Sequence, residues 1–185
     1  SPYHVLVSCI ISLRTKDAVT AAASQRLFLE APTIEVLAAL SEERVATLIY
    51  PAGFYRNKAR QLVGIARILV EQQGGKVPDS MEGLLALIGV GRKTANLVLT
   101  LGHGLPGICV DIHVHRIANR WGYVETATPD QTEMVLRKKL PKQYWIPIND
   151  LLVCFGQNCC YPVSPACTTC SLGSSCPQRG VTRRR

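Results

Sequence analysis

Cys160, Cys167, Cys170 and Cys176 follow one another as C-x6-C-x2-C-x5-C, so four thiols can return to one point within seventeen residues. Their segment holds Pro162, Pro165, Ser and Gly and few large apolar side chains, so burial alone cannot order it. Thiolate ligation is the chemistry this pattern suggests. A cubane [4Fe–4S] cluster bound by four cysteines accommodates a compact, uneven wrap. A tetrahedral zinc site more often uses two C-x2-C knuckles, and two local disulfides are the remaining reading. Cys159, beside Cys160, competes for the first ligand position, and spacing does not choose between them. Cys9, Cys109 and Cys154 stand singly in apolar runs and are expected to pack as small hydrophobes.

A second group lies in Leu84 to Ala95, which reads as helix, tight hairpin, helix. Gly89 and Gly91 bracket Val90, permitting a positive-φ turn and leaving backbone N–H groups uncovered at the start of the next helix. Such groups bind a phosphate oxygen without reading a base. The alternative is an ordinary helix–helix turn, but the following Arg92-Lys93-Thr94-Ala95 favours phosphate. Lys93 falls in the first helical turn, where a cation opposes the helix dipole. A partly desolvated, positively polarised position would lower its pKa and free the amine as a nucleophile; a solvated phosphate contact is the plainer role. On this helix Asn96, Leu97 and Thr100 share the Lys93 side, and Ala95, Val98 and Leu99 are expected to face inward.

After the Gly/Pro-rich stretch 102–107, Asp111 stands directly ahead of a helical segment and is expected to be its N-cap. A capping carboxylate held by backbone amides stays ionised and can face a developing positive charge. His113 and His115 are two apart, so one helix cannot aim both at one metal; His113 is expected to be packed beside the site and His115 to be on the surface.

These groups need a scaffold, and the chain supplies a helical one. Of 185 residues, 47% are hydrophobic and 18% charged, enough for a core with little disorder. Leu62, Ile65, Ala66 and Leu69 repeat at helical spacing within 56–73, with Arg56, Lys58, Arg60 and Arg67 available to the wet side. Further helices are expected at about 4–12, 17–29, 42–50, 80–87, 92–101, 111–121, 130–139 and 146–156, and no strand. No run approaches the roughly 18 to 20 apolar residues of a membrane span. Lys+Arg exceed Asp+Glu by 21 to 13, and the net +8 favours a polyanionic partner. Arg183, Arg184 and Arg185 read as a mobile, solvated tail, with a DNA contact as the alternative.

Taken together, the G-V-G hairpin with Lys93, the Gly/Pro-rich loop with Asp111, and the C-x6-C-x2-C-x5-C cluster resemble the endonuclease III family of helix-hairpin-helix DNA glycosylases, in that family's order and over nearly the whole chain. The resemblance implies an all-α fold of two helical lobes, residues 1–105 with the hairpin and 106–185 with a [4Fe–4S] loop, and DNA in the cleft between them. It implies a monomer bound to duplex DNA carrying a damaged base or abasic site, with no membrane partner, in the nucleoid of a prokaryote or the nucleus or mitochondrion of a eukaryote. It makes Lys93 the lyase nucleophile and Asp111 the catalytic carboxylate, acting on a base flipped from the stack. It makes Cys160, Cys167, Cys170 and Cys176 the cluster ligands, and Gly89, Val90, Gly91, Arg92, Arg14, Phe54 and His113 the DNA contacts. Oxidised pyrimidines and abasic sites are the expected substrates. In the family an upstream helix completes the cluster lobe, and the resemblance leaves no segment of this sequence expected to supply it.

Three positions depart from the family pattern. Ile88 replaces a proline in the hairpin, Ile112 replaces a threonine after the aspartate, and Arg14 stands where a glutamine often fills the gap left by the flipped base. Phe54 occupies the place of a wedge residue, with a core role as the alternative. The related adenine-mismatch glycosylases carry the cluster but use a first-helix glutamate and lack the lysine; here that position is Cys9 and Lys93 is present. An 8-oxoguanine glycosylase would lack the cluster. A catalytically silent or monofunctional DNA-binding protein is the remaining alternative.

Overall fold

The computed structural model describes residues 1–185, and helices are its only regular elements. Ten α-helices follow in order: α1 (Pro2–Ser12), α2 (Asp17–Glu30), α3 (Ile34–Ala39), α4 (Glu42–Ile49), α5 (Tyr55–Gln73), α6 (Met81–Leu85), α7 (Arg92–Leu97), α8 (Ile112–Arg120), α9 (Pro129–Lys139) and α10 (Pro147–Asn158). A π-helical turn, Val98–Gly102, continues α7, and a 3-10 turn, Lys142–Tyr144, precedes α10. No helix is long and apolar enough to cross a membrane. The chain divides into two compact units, Ser1–Leu105 and Pro106–Arg185.

The first unit is built around α5. Ala59, Leu62, Val63, Ile65, Ala66 and Leu69 of this helix are buried, as its spacing predicts, and α3 and α4 pack along it. Helix α1 supplies Leu6, Val7, Ile10 and Ile11 to the same core and packs against α2, α7 and the π-turn. Helix α3 was not expected, because Pro32 reads as a break. The chain restarts at Thr33, whose hydroxyl accepts from Val36 N (3.4 Å), and buries only Ile34 and Leu37.

The second unit has a smaller core: Ile108, Val110, Val114, Ile117, Ala118, Val124, Leu136, Trp145 and Leu152. Helix α8 packs on α10 so closely that a Cβ on Gly156 would stand 2.3 Å from His113 Nδ1. No regular element follows Asn158. The C-terminal arginines are not a mobile tail. Arg185 N donates to Pro165 O (3.0 Å), its carbonyl accepts from Thr168 N (3.2 Å), and its guanidinium lies 4.7 Å from the Tyr161 ring centre. Arg179 N donates to Arg120 O (3.0 Å), so the end of the chain runs back over the cysteine loop.

Candidate functional site

Helices α6 and α7 flank the hairpin at residues 86–91. Leu84, Leu87 and Val90 are buried beneath it, while Ile88 is 66% exposed at its tip. Gly89 adopts φ 71, the left-handed region that favours glycine. A Cβ there would also meet Gln61 Nε2 at 2.4 Å, the same atom that donates to Ile88 O (2.8 Å) and braces the turn against α5. Val90 turns its side chain into the core and spends its N–H on Leu87 O (3.1 Å), so it anchors the hairpin. Gly91 is the N-cap of α7, and no side chain caps that end. The first-turn amides thus face a helix terminus whose dipole favours an anion.

Lys93 rises from this first turn and is exposed, which accords with the solvated position and not with the partly desolvated one. Thr94, Ala95 and Asn96 are buried, as are Val98, Leu99 and Thr100, so α7 presents little beyond Lys93, Arg92 and Leu97. Asn96 and Thr100 therefore do not share the open Lys93 side. Their polar atoms turn back onto the helix: Asn96 Nδ2 donates to Arg92 O (3.1 Å) and Thr100 Oγ1 to Asn96 O (2.8 Å). Cys9 of α1 lies within electrostatic reach of Lys93; burial pushes its thiol up to about 11 while the ammonium pulls the other way.

Asp111 caps α8, its Oδ1 accepting from His113 N (2.8 Å) and Val114 N (2.9 Å). Both amides are helix-terminal donors without an intrahelical acceptor, so the start of the helix itself holds the carboxylate in place. His113 is half-buried, with Nδ1 3.1 Å from Arg116 Nη2. His115, expected on the surface, is half-buried too, its Nδ1 2.7 Å from Thr132 Oγ1 and 3.2 Å from Asn119 Nδ2.

One and two turns further along α8 stand two arginines that sequence reading passed over. Arg116 Nη2 donates to Cys160 O (2.9 Å). Arg120 is 8% exposed and donates to Tyr161 O (2.6 Å), Pro162 O (2.7 Å) and Cys160 Sγ (3.3 Å). The i, i+4 pair after Asp111 was the available signal: two cations on one face of a helix need acceptors, and an otherwise unstructured loop offers carbonyls.

Cys159, Cys160, Cys167, Cys170 and Cys176 all line one small apolar cavity, closed by Arg120, Trp121, Phe155 and Leu172. Gly173 completes it, since a Cβ there would press on Cys167 O (2.9 Å) and Cys170 O (3.0 Å). No three His, Cys, Asp or Glu side chains converge as ligands of a single ion. The cavity is lined mainly by thiols and apolar side chains and by no carboxylate or imidazole, a donor set that belongs to all-thiolate sites. Cys109 is buried as expected, Cys9 is half-buried, and Cys154 is exposed on α10, contrary to the packing role its apolar neighbours suggest. Helical periodicity places Cys154 on the side opposite Leu152 and Gly156.

Arg14 and Phe54 are both exposed, Phe54 by 59%, which removes the core reading of that ring. The Arg14 guanidinium lies 5.6 Å from the Phe54 ring centre.

Residues 7–142 match the HhH-GPD superfamily of base excision DNA repair proteins. The chain is 50% identical to Endonuclease III of Thermotoga maritima, over 95% of this chain and 82% of that protein. It is 42% identical to the chloroplastic Endonuclease III homolog 2 of Arabidopsis thaliana, of which it spans 48%. Its fold is similar to that of a trapped Endonuclease III–DNA covalent intermediate, with TM-score 0.87 and 33% identity over 96% of this chain and 84% of that one. The chain belongs to the endonuclease III family.

Proposed function

We propose that this protein is a base excision repair DNA glycosylase with lyase activity at abasic sites, releasing oxidised pyrimidines from duplex DNA and nicking the strand through a lysine Schiff base. The observation that carries the reading is Lys93, an exposed amine in the uncapped first turn of α7 directly after a Gly-Val-Gly hairpin. The amides of Gly91, Arg92 and Lys93 and the Arg92 side chain hold backbone phosphate. Bound DNA excludes water from Lys93 and supplies the desolvation that the free protein lacks. The Lys93 amine forms a bond to C1′ as the C1′–base bond breaks and the base leaves with its electron pair. Asp111, held by two amides, stabilises the cationic sugar or receives the amine proton. Loss of the ring oxygen bond gives the imine, and removal of a C2′ proton expels the 3′ phosphate by β-elimination.

Cys160, Cys167, Cys170 and Cys176 are the residues that would hold a [4Fe–4S] cluster, their spacing and their shared apolar cavity supporting this. Such a cluster supplies cross-links that order the loop. Arg14 and Phe54 enter the duplex beside the lesion, and His113 supports the Asp111 end of α8. Cys9 in place of a glutamate disfavours an adenine-mismatch enzyme.

Borohydride trapping tests the reading. With a duplex carrying one oxidised thymine, the wild-type protein is expected to give a covalent adduct that Lys93→Ala does not. Binding of duplex without any adduct would point to a monofunctional or silent DNA-binding protein.

A further inference from the structure

Lys58 is a lysine in the first turn of α5, where its charge opposes the helix dipole, yet it is only 5% exposed. All three of its donor positions are used on one short segment. Lys58 Nζ donates to Ile11 O (2.7 Å), Leu13 O (2.5 Å) and Thr15 Oγ1 (2.8 Å). The first two are carbonyls at the open C-terminus of α1, where a cation is favoured. The Thr15 hydroxyl also accepts from Gly53 N (3.0 Å), so one oxygen ties the 13–16 turn to the turn ahead of α5. These turns touch: a Cβ on Gly53 would stand 2.5 Å from Arg14 O.

Each turn carries one residue with left-handed backbone that is not glycine. Arg14 has φ 52 and Phe54 has φ 57, and only Ser164 and Gln178 share that property in the chain. Such conformations persist where the surroundings over-determine them. Here the surroundings are the Lys58 and Thr15 bonds, and their effect is to project the guanidinium and the phenyl ring side by side into solvent. Burial lowers the Lys58 pKa, as expected for an ammonium kept charged only by its acceptors.

We propose that Lys58 and Thr15 form a clamp that fixes Arg14 and Phe54 as a two-pronged probe of the duplex, making both positioning residues for extrusion of the damaged base. The inference rests on the glycosylase reading above and assigns the clamp a role before the bond-breaking step. A probe held rigidly enters the stack as a unit; a probe on loose turns must be ordered in each encounter, which slows insertion more than it weakens phosphate-driven binding.

The test compares Thr15→Val, which keeps the branched shape and removes the bridging hydroxyl, with Lys58→Met, Lys58→Arg, Phe54→Ala and Arg14→Ala. Nicking is measured at saturating enzyme on a duplex lesion and on the same lesion in an unpaired bulge, with 2-aminopurine fluorescence opposite the lesion reporting insertion. For Thr15→Val and Lys58→Met, duplex nicking and the insertion rate are expected to fall about tenfold or more while duplex half-saturation and bulge nicking change by less than about threefold. Lys58→Arg is expected to recover part of the loss. Equal losses on duplex and bulge, or unchanged duplex rates in folded Thr15→Val, would overturn the clamp. If Lys58→Met does not fold, Thr15→Val decides the question. Unchanged duplex rates in Phe54→Ala and Arg14→Ala would overturn the probe reading and the clamp with it; losses there alone leave the probe standing and overturn only the clamp.

Discussion

Residues 1–105 and 106–185 are held together by different means. In the first unit α1, α4, α5, α6 and the turn after α7 all contribute fully buried side chains, and Lys58 is its one buried cation, placed against a helix end. In the second, a short core supports α8 to α10, and the last 27 residues depend on Arg116 and Arg120, on the cysteine cavity and on the returning C-terminus. A helix can present phosphate-binding amides once its apolar face is buried, so the hairpin needs only core behind it. A loop of cysteines, glycines and prolines has no such face, so charged hydrogen bonds to its carbonyls take that place, together with the ligation proposed above for its thiols.

That contrast is breakable. Arg120→Met should have the largest effect, leaving two carbonyls and a thiol without their donor and costing the second unit about 3 kcal/mol or more. Hydrogen exchange should rise in 106–185 and stay unchanged in 1–105; uniform loss of protection would mean that the units are not independently stabilised. Cys167→Ala should bleach absorbance near 400 nm, roughly where thiolate-to-iron transitions lie, again with the first unit protected. Asp111→Asn sharpens the separation of structure from chemistry. Asn caps helices about as well as Asp, so melting should hardly move, while nicking should fall roughly a hundredfold; equal loss of both would make the carboxylate a structural group only.

Smaller changes probe the hairpin and the α8 network. Gly89→Ala forces φ 71 on a side chain and displaces Gln61, which should cost about 1–2 kcal/mol and weaken binding to undamaged duplex, with nicking per bound complex preserved. Burial lowers the His115 pKa below its ordinary 6.5, so its contribution is present above pH 6.5 and lost as pH falls through the depressed folded value. As pH falls below 6.5 the protein should lose Tm that His115→Gln does not lose; identical pH slopes would place the titration elsewhere.

The helices of the first unit were legible because apolar spacing and breakers survive in any context: 55–73 was expected at 56–73, and 17–30 at 17–29. Helix α3 escaped because six residues carry too little periodicity. Position on a face was less legible than helicity. Cys154 lies in the same apolar run as Leu152 yet faces water, and Asn96 shares a helix with Lys93 yet is 1% exposed. Both depend on which side the neighbouring helices cover.

Residue types, order and spacing were enough for the hairpin turn, the Asp111 cap and the cysteine loop, because each is local: a glycine at φ 71, a carboxylate two and three residues from its donors, thiols within seventeen positions. Tertiary structure alone decided the roles of Lys58, Arg116 and Arg120, whose backbone carbonyl acceptors lie between 40 and 47 residues away in the chain. A cation's sequence neighbours do not disclose whether its charge meets water or a distant carbonyl, and only the packed backbone brings that carbonyl within reach.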